Sequence, residues 1–387
     1  MFDIKPIPPP ERVVLAAVHL PDVPDALFEE DMAEMAMLCN TARAEVVATI
    51  IQKRDSPDAS TFIGAGKLTE IKEHLKNGEC TTLVIDAELS PGQVRNIEKR
   101  TEAKVVDRSQ LILDIFAAHA RSVESKVQVE LAQLRMMYPR LTRAWSHLSK
   151  QYGGIGTRGP GETQLEVDRR LVQNKISELR DKLKKIEKSR DIQRKGRKSM
   201  MNIALVGYTN VGKSSLLNAL SGADVLVENK LFATLDTASR KVWLPATGEV
   251  IFTDTVGFLR KLPHQLVASF RSTLEVARES DLLCIVLDAS SLWSGEQFKT
   301  VEQVLTELEA TQAPRMIVFN KIDLVEDPFE RKRLSLMFPN SVQVSAFVKE
   351  DVASFKAAVS ERLDEISKER EREALIREET KRAMETW

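Results

Sequence analysis

The chain has 387 residues, which is more than one hydrophobic core usually covers, so we expect two or three domains. Its content of 43% hydrophobic and 29% charged residues is typical of a soluble, folded protein. A net charge of −1 excludes nucleic-acid binding through the field of the whole molecule, so any such binding must use local basic patches. The three cysteines lack metal-ligand spacing, and no stretch is built like a signal peptide or a membrane span of about 18 apolar residues. We therefore expect a cytoplasmic protein with buried, reduced thiols and no membrane span.

The first part of the chain alternates short β-branched runs with helical stretches. Strands are predicted at residues 13–20, 45–51, 82–86 and 104–107. This alternation is typical of βαβ units and a mainly parallel sheet, and it predicts a small N-terminal α/β domain over residues 1–121. The short motif "GAGK" at residues 64–67 is interpreted as a strand-to-helix turn, and nucleotide binding by this domain stays open.

A helical pattern begins at residue 122. Apolar residues recur every three or four positions over 123–141, where Pro139 predicts a kink or a break, and again over 165–186 with coiled-coil spacing. We predict an antiparallel helical hairpin that, with a basic linker, spans residues 122–199. Residues 177–200 contain ten Lys or Arg and four Asp or Glu. This basic stretch is either a solvated helix face or a contact surface for RNA phosphates.

The hairpin carries the glycine-rich stretch "GGIGTRGPGE" at residues 153–162. It follows a helix and lacks a Lys-Ser ending, which disfavours a second nucleotide site. It could be a structural turn, or it could approach an RNA backbone, which requires small residues. Arg158 would then pair with a phosphate. The candidate RNA contacts are Gly153, Gly154, Gly156, Arg158 and Gly159.

Residues 200–366 are predicted to form a second α/β domain. Its strands are expected at residues 202–206, 250–254, 282–288, 316–320 and 342–345. The remaining residues, 367–387, are mostly Glu, Arg and Lys. They predict a charged tail, either a short solvated helix or a frayed end, rather than a domain.

The strand "NIALVG" leads into a phosphate-binding loop and then an apolar helix, which matches G-x-x-x-x-G-K-[ST] in its required context. The glycines allow backbone N–H groups to point at phosphates beside the positive end of the helix. Lys213 would neutralise β- and γ-phosphate charge, and the Ser214 hydroxyl would ligate Mg²⁺. The predicted phosphate-binding residues are Gly207, Tyr208, Thr209, Asn210, Val211, Gly212, Lys213, Ser214 and Ser215.

A second motif, Asp254-Thr255-Val256-Gly257, ends another apolar run. Asp254 at a strand end can hold Mg²⁺ through water, and the Gly257 N–H can sense a γ-phosphate. The next residue, Phe258, stands where a water-positioning polar side chain is normally expected. It is either a core residue or part of a switch, and it predicts weak intrinsic hydrolysis.

The motif Asn320-Lys321-Ile322-Asp323 follows a further buried strand and predicts base recognition. Asp323 can accept hydrogen bonds from guanine N1–H and N2–H₂, a pair of donors that adenine lacks. Lys321 can lie against the base plane, and Asn320 can tie its loop to the phosphate loop.

Another strand precedes Ser345, Ala346 and Phe347, where a backbone N–H could meet guanine O6. The phosphate loop, the motif that begins at Asp254, the motif that begins at Asn320 and this last segment follow one another along the chain, each at the carboxyl end of a strand. Together they indicate a site for GTP and GDP.

Together these motifs resemble the HflX family of ribosome-associated GTPases, and the resemblance covers roughly residues 12–366. It also rests on "FIGAGKLTEI" at 62–71, on residues 105–134 and on "GGIGTRGPGETQLEVDRR" at 153–170. The resemblance implies a Ras-like domain of the translation-factor class with a mostly parallel sheet. It further implies GTP hydrolysis stimulated by the ribosome, association of a monomer with the 50S subunit and its rRNA, and dissociation or rescue of ribosomes. Association with a membrane surface stays open, as does a GTP-dependent RNA-binding or assembly factor without splitting activity.

By the same resemblance, the sequence "FATLD" at residues 232–236 corresponds to the first switch of the family. Thr234 would close over Mg²⁺ and the γ-phosphate, and would act in catalysis with Lys213 and Gly257. Thr237 is the alternative candidate for this role. The sequence departs from the family pattern here, since Thr-Ala-Ser follows Asp236 where the family more often has Pro-Thr-Thr. The implied switch residues are Phe232, Ala233, Thr234, Leu235 and Asp236.

Asn210 in the phosphate loop has two interpretations. In several GTPases with an apolar residue at the position of Phe258, an Asn at this place helps to hold a K⁺, whose charge replaces that of an arginine finger. Asn is also tolerated in glycine-rich turns for conformational reasons alone.

Overall fold

The computed structural model describes residues 9–144, 164–195, 200–222, 231–232, 234–261, 276–310 and 313–385. The chain divides into two compact units, Met1–Ile186 and Glu187–Trp387. The domain limits at residues 121, 199 and 366 stay predictions.

The first unit contains a four-stranded parallel sheet in the order β2-β1-β3-β4. The run Val13–Ala17 in β1 is buried throughout because helices cover both faces of such a sheet. The α/β fold predicted for this region is confirmed, and each predicted strand lies within two residues of the observed one. The elements are β1 (Glu11–His19), α1 (Asp25–Thr41), β2 (Ala44–Lys53), α2 (Ala65–Asn77), β3 (Thr82–Ile85), α3 (Pro91–Thr101), β4 (Lys104–Asp107) and α4 (Arg108–His119).

Two long helices complete this part of the chain, α5 (Val123–Ala144) and α6 (Gln164–Lys195). Val127 and Leu131 of α5 form a buried cluster with Leu179 of α6, as the coiled-coil spacing predicts. Pro139 lies inside α5, so of the two predicted alternatives, a kink or a break, the break does not occur. The helix beyond it is held by an ion pair of 2.9 Å from Arg140 to the buried Asp107.

The second unit contains a six-stranded sheet in the order β10-β9-β8-β5-β7-β6. All neighbouring strands are parallel except β6 and β7, as in a Ras-like GTPase domain with a mostly parallel sheet, which confirms the fold class. The carboxyl ends of β5, β7, β8 and β9 therefore meet at one edge. The elements are β5 (Asn202–Gly207), α7 (Lys213–Ser221), β6 (Ala238–Leu244), β7 (Gly248–Asp254), β8 (Leu282–Asp288), α8 (Ser294–Glu307), β9 (Arg315–Asn320), a 3-10 turn (Ile322–Leu324), α9 (Pro328–Met337), β10 (Val342–Gln343) and α10 (Lys349–Glu385).

Strand β6 was not predicted from the sequence. It lies at the edge of the sheet, and only its alternate residues Val242 and Leu244 are buried, so its apolar signal is short. The charged tail continues α10 as far as Glu385, which favours the helical interpretation over the frayed one.

The cysteines Cys39, Cys80 and Cys284 are buried and unpaired, as expected. Among the described residues, no helix has the length and apolar character needed to cross a membrane.

Candidate nucleotide site

The phosphate loop between β5 and α7 requires both of its glycines. A Cβ on Gly207, whose φ is +155°, would lie 2.2 Å from the carbonyl oxygen of Val286 in β8. A Cβ on Gly212, whose φ is +89°, would lie 2.3 Å from Nδ2 of Asn320. The loop is therefore closely packed against the next two strands, and side chains at these positions would push it away from the edge of the sheet.

Lys213, the first residue of α7, is buried and curled back over this loop. Its Nζ donates to the carbonyl oxygens of Gly207 at 3.1 Å and Tyr208 at 2.8 Å. Burial lowers the pKa of Lys213 to about 8, although the nearby carboxylate of Asp254 acts in the opposite direction. A phosphate anion would stabilise this buried ammonium, which fits the role predicted for Lys213.

The three predicted magnesium ligands come together at the edge of the sheet. The Ser214 Oγ donates to Asp254 Oδ2 at 2.6 Å and lies 2.7 Å from Thr234 Oγ1. The other carboxylate oxygen, Asp254 Oδ1, is buried and has no hydrogen-bond partner among the described residues. Burial raises the pKa of Asp254, and Lys213 opposes this shift. Two hydroxyls and a carboxylate with an unused oxygen are a donor set that fits Mg²⁺.

Thr234, rather than its competitor Thr237, contacts Ser214. Its role in closing over a nucleotide stays a prediction. Ala233, in the same switch, lies outside the described residues.

Asn320 connects the two ends of the candidate site. This residue is buried, with 2% of its surface exposed. Its Nδ2 donates to the carbonyl oxygen of Val211 in the phosphate loop at 2.8 Å, and its Oδ1 accepts from the Ala346 N–H at 3.2 Å. One amide side chain therefore joins the phosphate loop to the loop that contains Ser345, Ala346 and Phe347. The sequence predicted the contact of Asn320 with the phosphate loop but not the contact with Ala346.

The other base-recognition residues lie around Asn320. Asp323 and Phe347 are exposed, so both are open to a ligand. Lys321 has a left-handed backbone, and its Nζ lies 2.6 Å from Asp288 Oδ2. Asp288 was not singled out from the sequence. The sequence feature that could have identified it is an acidic residue at the carboxyl end of a buried strand, which Asp288 shares with Asp254 at the end of β7.

Phe258 is a core residue, with 1% of its surface exposed, and belongs to the apolar cluster that includes Ile285 and Leu287. Its main chain is bonded to the phosphate loop: its N–H donates to Gly207 at 3.0 Å, and its carbonyl oxygen accepts from Thr209 at 2.7 Å. The Phe258 side chain therefore fills the core and does not position a water molecule.

The preceding residue of the motif is just as closely packed. A Cβ on Gly257 would lie 2.6 Å from Cα of Thr209. The Thr209 Oγ1 also accepts from the Phe232 N–H at 3.0 Å. The phosphate loop thus contacts both candidate switch segments through Thr209.

Two secondary sequence features also have a place in the structure. Asn210 has a φ of +61°, which gives the conformational reason for an Asn there, and K⁺ binding stays open. Gly64 is the N-cap of α2 and the rest of "GAGK" lies in the first turn of that helix, so the motif is a helix start, separated by a loop from β2, which ends at Lys53. The candidate RNA contacts Gly153, Gly154, Gly156, Arg158 and Gly159 lie outside the described residues.

Three family models match consecutive parts of the chain. They are described as "GTP-binding GTPase N-terminal" for residues 29–117, "GTP-binding GTPase Middle Region" for residues 119–197 and "50S ribosome-binding GTPase" for residues 202–321.

Curated relatives match over most of their length. The GTPase HflX of Caldanaerobacter subterraneus subsp. tengcongensis is 49% identical over 318 residues, which cover 82% of this chain and 73% of the relative. The GTPase HflX of Escherichia coli is 43% identical over 357 residues, which cover 91% and 83%. A solved structure of a GTP-binding protein from Sulfolobus solfataricus in complex with GDP is 24% identical, with a TM-score of 0.47 and coverage of 89% of this chain and 98% of that one.

Proposed function

Because the chain belongs to the HflX family of GTPases, and is therefore a GTP-hydrolysing P-loop enzyme, we propose that it is a switch that acts on the ribosome. In its GTP-bound form it associates with the 50S subunit and its rRNA as a monomer in the cytoplasm, and it dissociates or rescues ribosomes. The ribosome in turn stimulates hydrolysis.

The observation that carries the nucleotide part of this proposal is the convergence of Ser214, Thr234 and Asp254, in which the buried Asp254 Oδ1 has no hydrogen-bond partner within the described part of the chain. These residues would hold Mg²⁺, with Asp254 acting through water, and the ion would neutralise charge between the β- and γ-phosphates. Lys213 binds the same phosphates from the loop side. The Gly257 N–H reports whether a γ-phosphate is present.

The buried side chain of Phe258 supports dependence on a partner. Because this apolar side chain is in the core, residue 258 offers no polar group to orient the attacking water. The missing contribution then comes from the ribosome, from a K⁺ held near Asn210, or from a backbone-held water. Intrinsic turnover is accordingly slow.

The helical hairpin supports an RNA contact. Arg135 lies on α5 and Arg180 on the facing helix α6. Burial lowers the pKa of Arg135, and the positive charge of Arg180 on α6 adds to this effect. Two guanidinium groups on facing helices that repel each other would be stabilised by a phosphate between them. The description "50S ribosome-binding GTPase" of the model that matches residues 202–321 agrees with such a partner.

Two measurements test the proposal. GTP turnover is measured with and without 50S subunits, in K⁺ and in Na⁺, and we expect strong stimulation by 50S. Intact 70S ribosomes are then sedimented with the protein bound to a non-hydrolysable GTP analogue or to GDP. If the protein splits 70S ribosomes when bound to the analogue but not when bound to GDP, the result supports a dissociation factor. Binding to 50S without splitting would instead support the assembly-factor alternative, and the absence of both would contradict a ribosomal function.

A further inference from the structure

We propose that Asp288 is a positioning residue for the guanine base. It holds the ammonium group of Lys321, so that the methylene chain of the lysine lies in place for the purine ring before a nucleotide arrives. The inference deepens the proposed base site and rests on Lys321 lying against the base.

The sheet places these two residues side by side. In the register of the parallel strands β8 and β9, Asp288 lies opposite Asn320, and the Ala289 N–H donates to the Asn320 carbonyl oxygen at 2.9 Å. The Lys321 Nζ then reaches Asp288 Oδ2 at 2.6 Å. The pair is partly shielded from water, with 24% of the lysine side chain and 16% of the aspartate side chain exposed.

The second carboxylate oxygen of Asp288 has a separate task. Its Oδ1 accepts from the Ser290 N–H at 2.9 Å and from the Ser290 hydroxyl at 2.6 Å. These bonds orient the carboxylate and fix the turn that follows β8. Of the two oxygens, only Oδ2 contacts the lysine. A substitution that keeps one oxygen can therefore remove the contact with Lys321 and retain the contacts with Ser290.

The backbone of Lys321 is also fixed. Its φ of +61° is unusual for a residue with a side chain, and it persists because the flanking segments are bonded on both sides. Asn320 bonds the Val211 carbonyl and the Ala346 N–H, and the Ile322 N–H donates to Val344 at 3.4 Å. The lysine side chain therefore leaves the backbone in a set direction, but its flexible chain would still move freely without a partner at its end.

Pairing with Asp288 changes what Lys321 offers to a base. A free ammonium is strongly hydrated and would draw the chain toward water. When the Asp288 carboxylate holds the ammonium group, the apolar methylene groups of Lys321 face the purine. The side chain then loses little further conformational freedom when the nucleotide binds. The expected contribution is to nucleotide affinity, equal for GDP and GTP, because the pair lies at the base end of the site.

The test uses Asp288→Asn in the full chain, since the asparagine oxygen can still accept from Ser290. We expect GDP and a non-hydrolysable GTP analogue, both fluorescently labelled, to dissociate about fivefold faster, with KM raised by the same factor and kcat unchanged. The matched control is Glu249→Gln, which removes an exposed ion pair of 3.0 Å with Lys241 in the same sheet and should leave both rates unchanged. Unchanged dissociation in Asp288→Asn would overturn the proposal.

A double-mutant cycle with Lys321→Met separates positioning from mere folding. If Asp288 acts through the lysine, Asp288→Asn adds no further loss of affinity in the Lys321→Met background. Additive losses, or a lower melting temperature that fully accounts for the effect, would overturn the proposal. Asp323→Asn reports on the base site itself: if it shifts preference toward xanthosine nucleotides, the base site stands whatever the cycle shows about Asp288.

Discussion

Replacing Phe258 with glutamine supplies the polar side chain that this position usually has in related nucleotide switches. Because the native side chain is 1% exposed, the substitution removes a buried ring and places an amide in the core. Loss of the ring costs about 2–3 kcal/mol, and an unpaired buried amide costs about 1–3 kcal/mol more. The sum of about 3–6 kcal/mol should lower the melting temperature of the GTPase domain by roughly 10 °C or more. Intrinsic GTP turnover should not rise.

Thermal unfolding followed by tryptophan fluorescence, together with GTP turnover without ribosomes, checks both parts. The matched control is Phe258→Leu, which keeps an apolar side chain and should cost only about 1–2 kcal/mol. The reasoning would be refuted if the glutamine variant stayed as stable as the leucine variant and hydrolysed GTP at least about tenfold faster. Such a result would mean that residue 258 leaves the core when nucleotide binds.

Three further substitutions address the rest of the site and the hairpin. Gly212→Ala places a methyl group 2.3 Å from Asn320 Nδ2 and should weaken GDP and GTP binding by at least about tenfold in equilibrium titrations; unchanged affinity would show that the loop adapts freely. Asp323→Asn should move preference from GTP toward xanthosine triphosphate in competition assays, and retained GTP affinity would rule out the base contact. Deletion of residues 153–161 should abolish stimulation by 50S subunits with basal GTP binding intact, whereas preserved stimulation would contradict a role for this loop in the contact.

The strands that form the edge of the nucleotide site could be predicted because each contains a short apolar run, and three of them, β7, β8 and β9, end in a polar residue. Leu282–Asp288 is an example, and its predicted limits agree with the structure. Strand β6 could not be predicted in the same way, since this edge strand buries one face only, through Val242 and Leu244, and begins with a polar stretch. At Pro139 the sequence predicted a kink or a break without deciding between them. The helix continues past the proline, where Arg140 pairs with Asp107, a tertiary contact that a local rule about helix interiors does not include.

The contacts within the site depend on register, which the sequence does not reveal. Asp288 and Lys321 are 33 residues apart, and they meet only because β8 and β9 are neighbours with Asp288 opposite Asn320. The direction of the Phe258 side chain depends in the same way on the pairing of its main chain with Gly207 and Thr209. Motif spacing identified the chemical groups of the site, whereas strand order and register determine which of them touch.

The buried amide of Asn320 has a consequence for nucleotide exchange. Because it bonds the phosphate loop on one side and the Ala346 loop on the other, neither end of the site can open far without straining the other. Loss of either bond leaves a buried polar group unsatisfied, which disfavours states in which only the base or only the phosphates have been released. GDP should therefore leave in a single step, and a factor that pulls on either loop would speed the departure of the whole nucleotide.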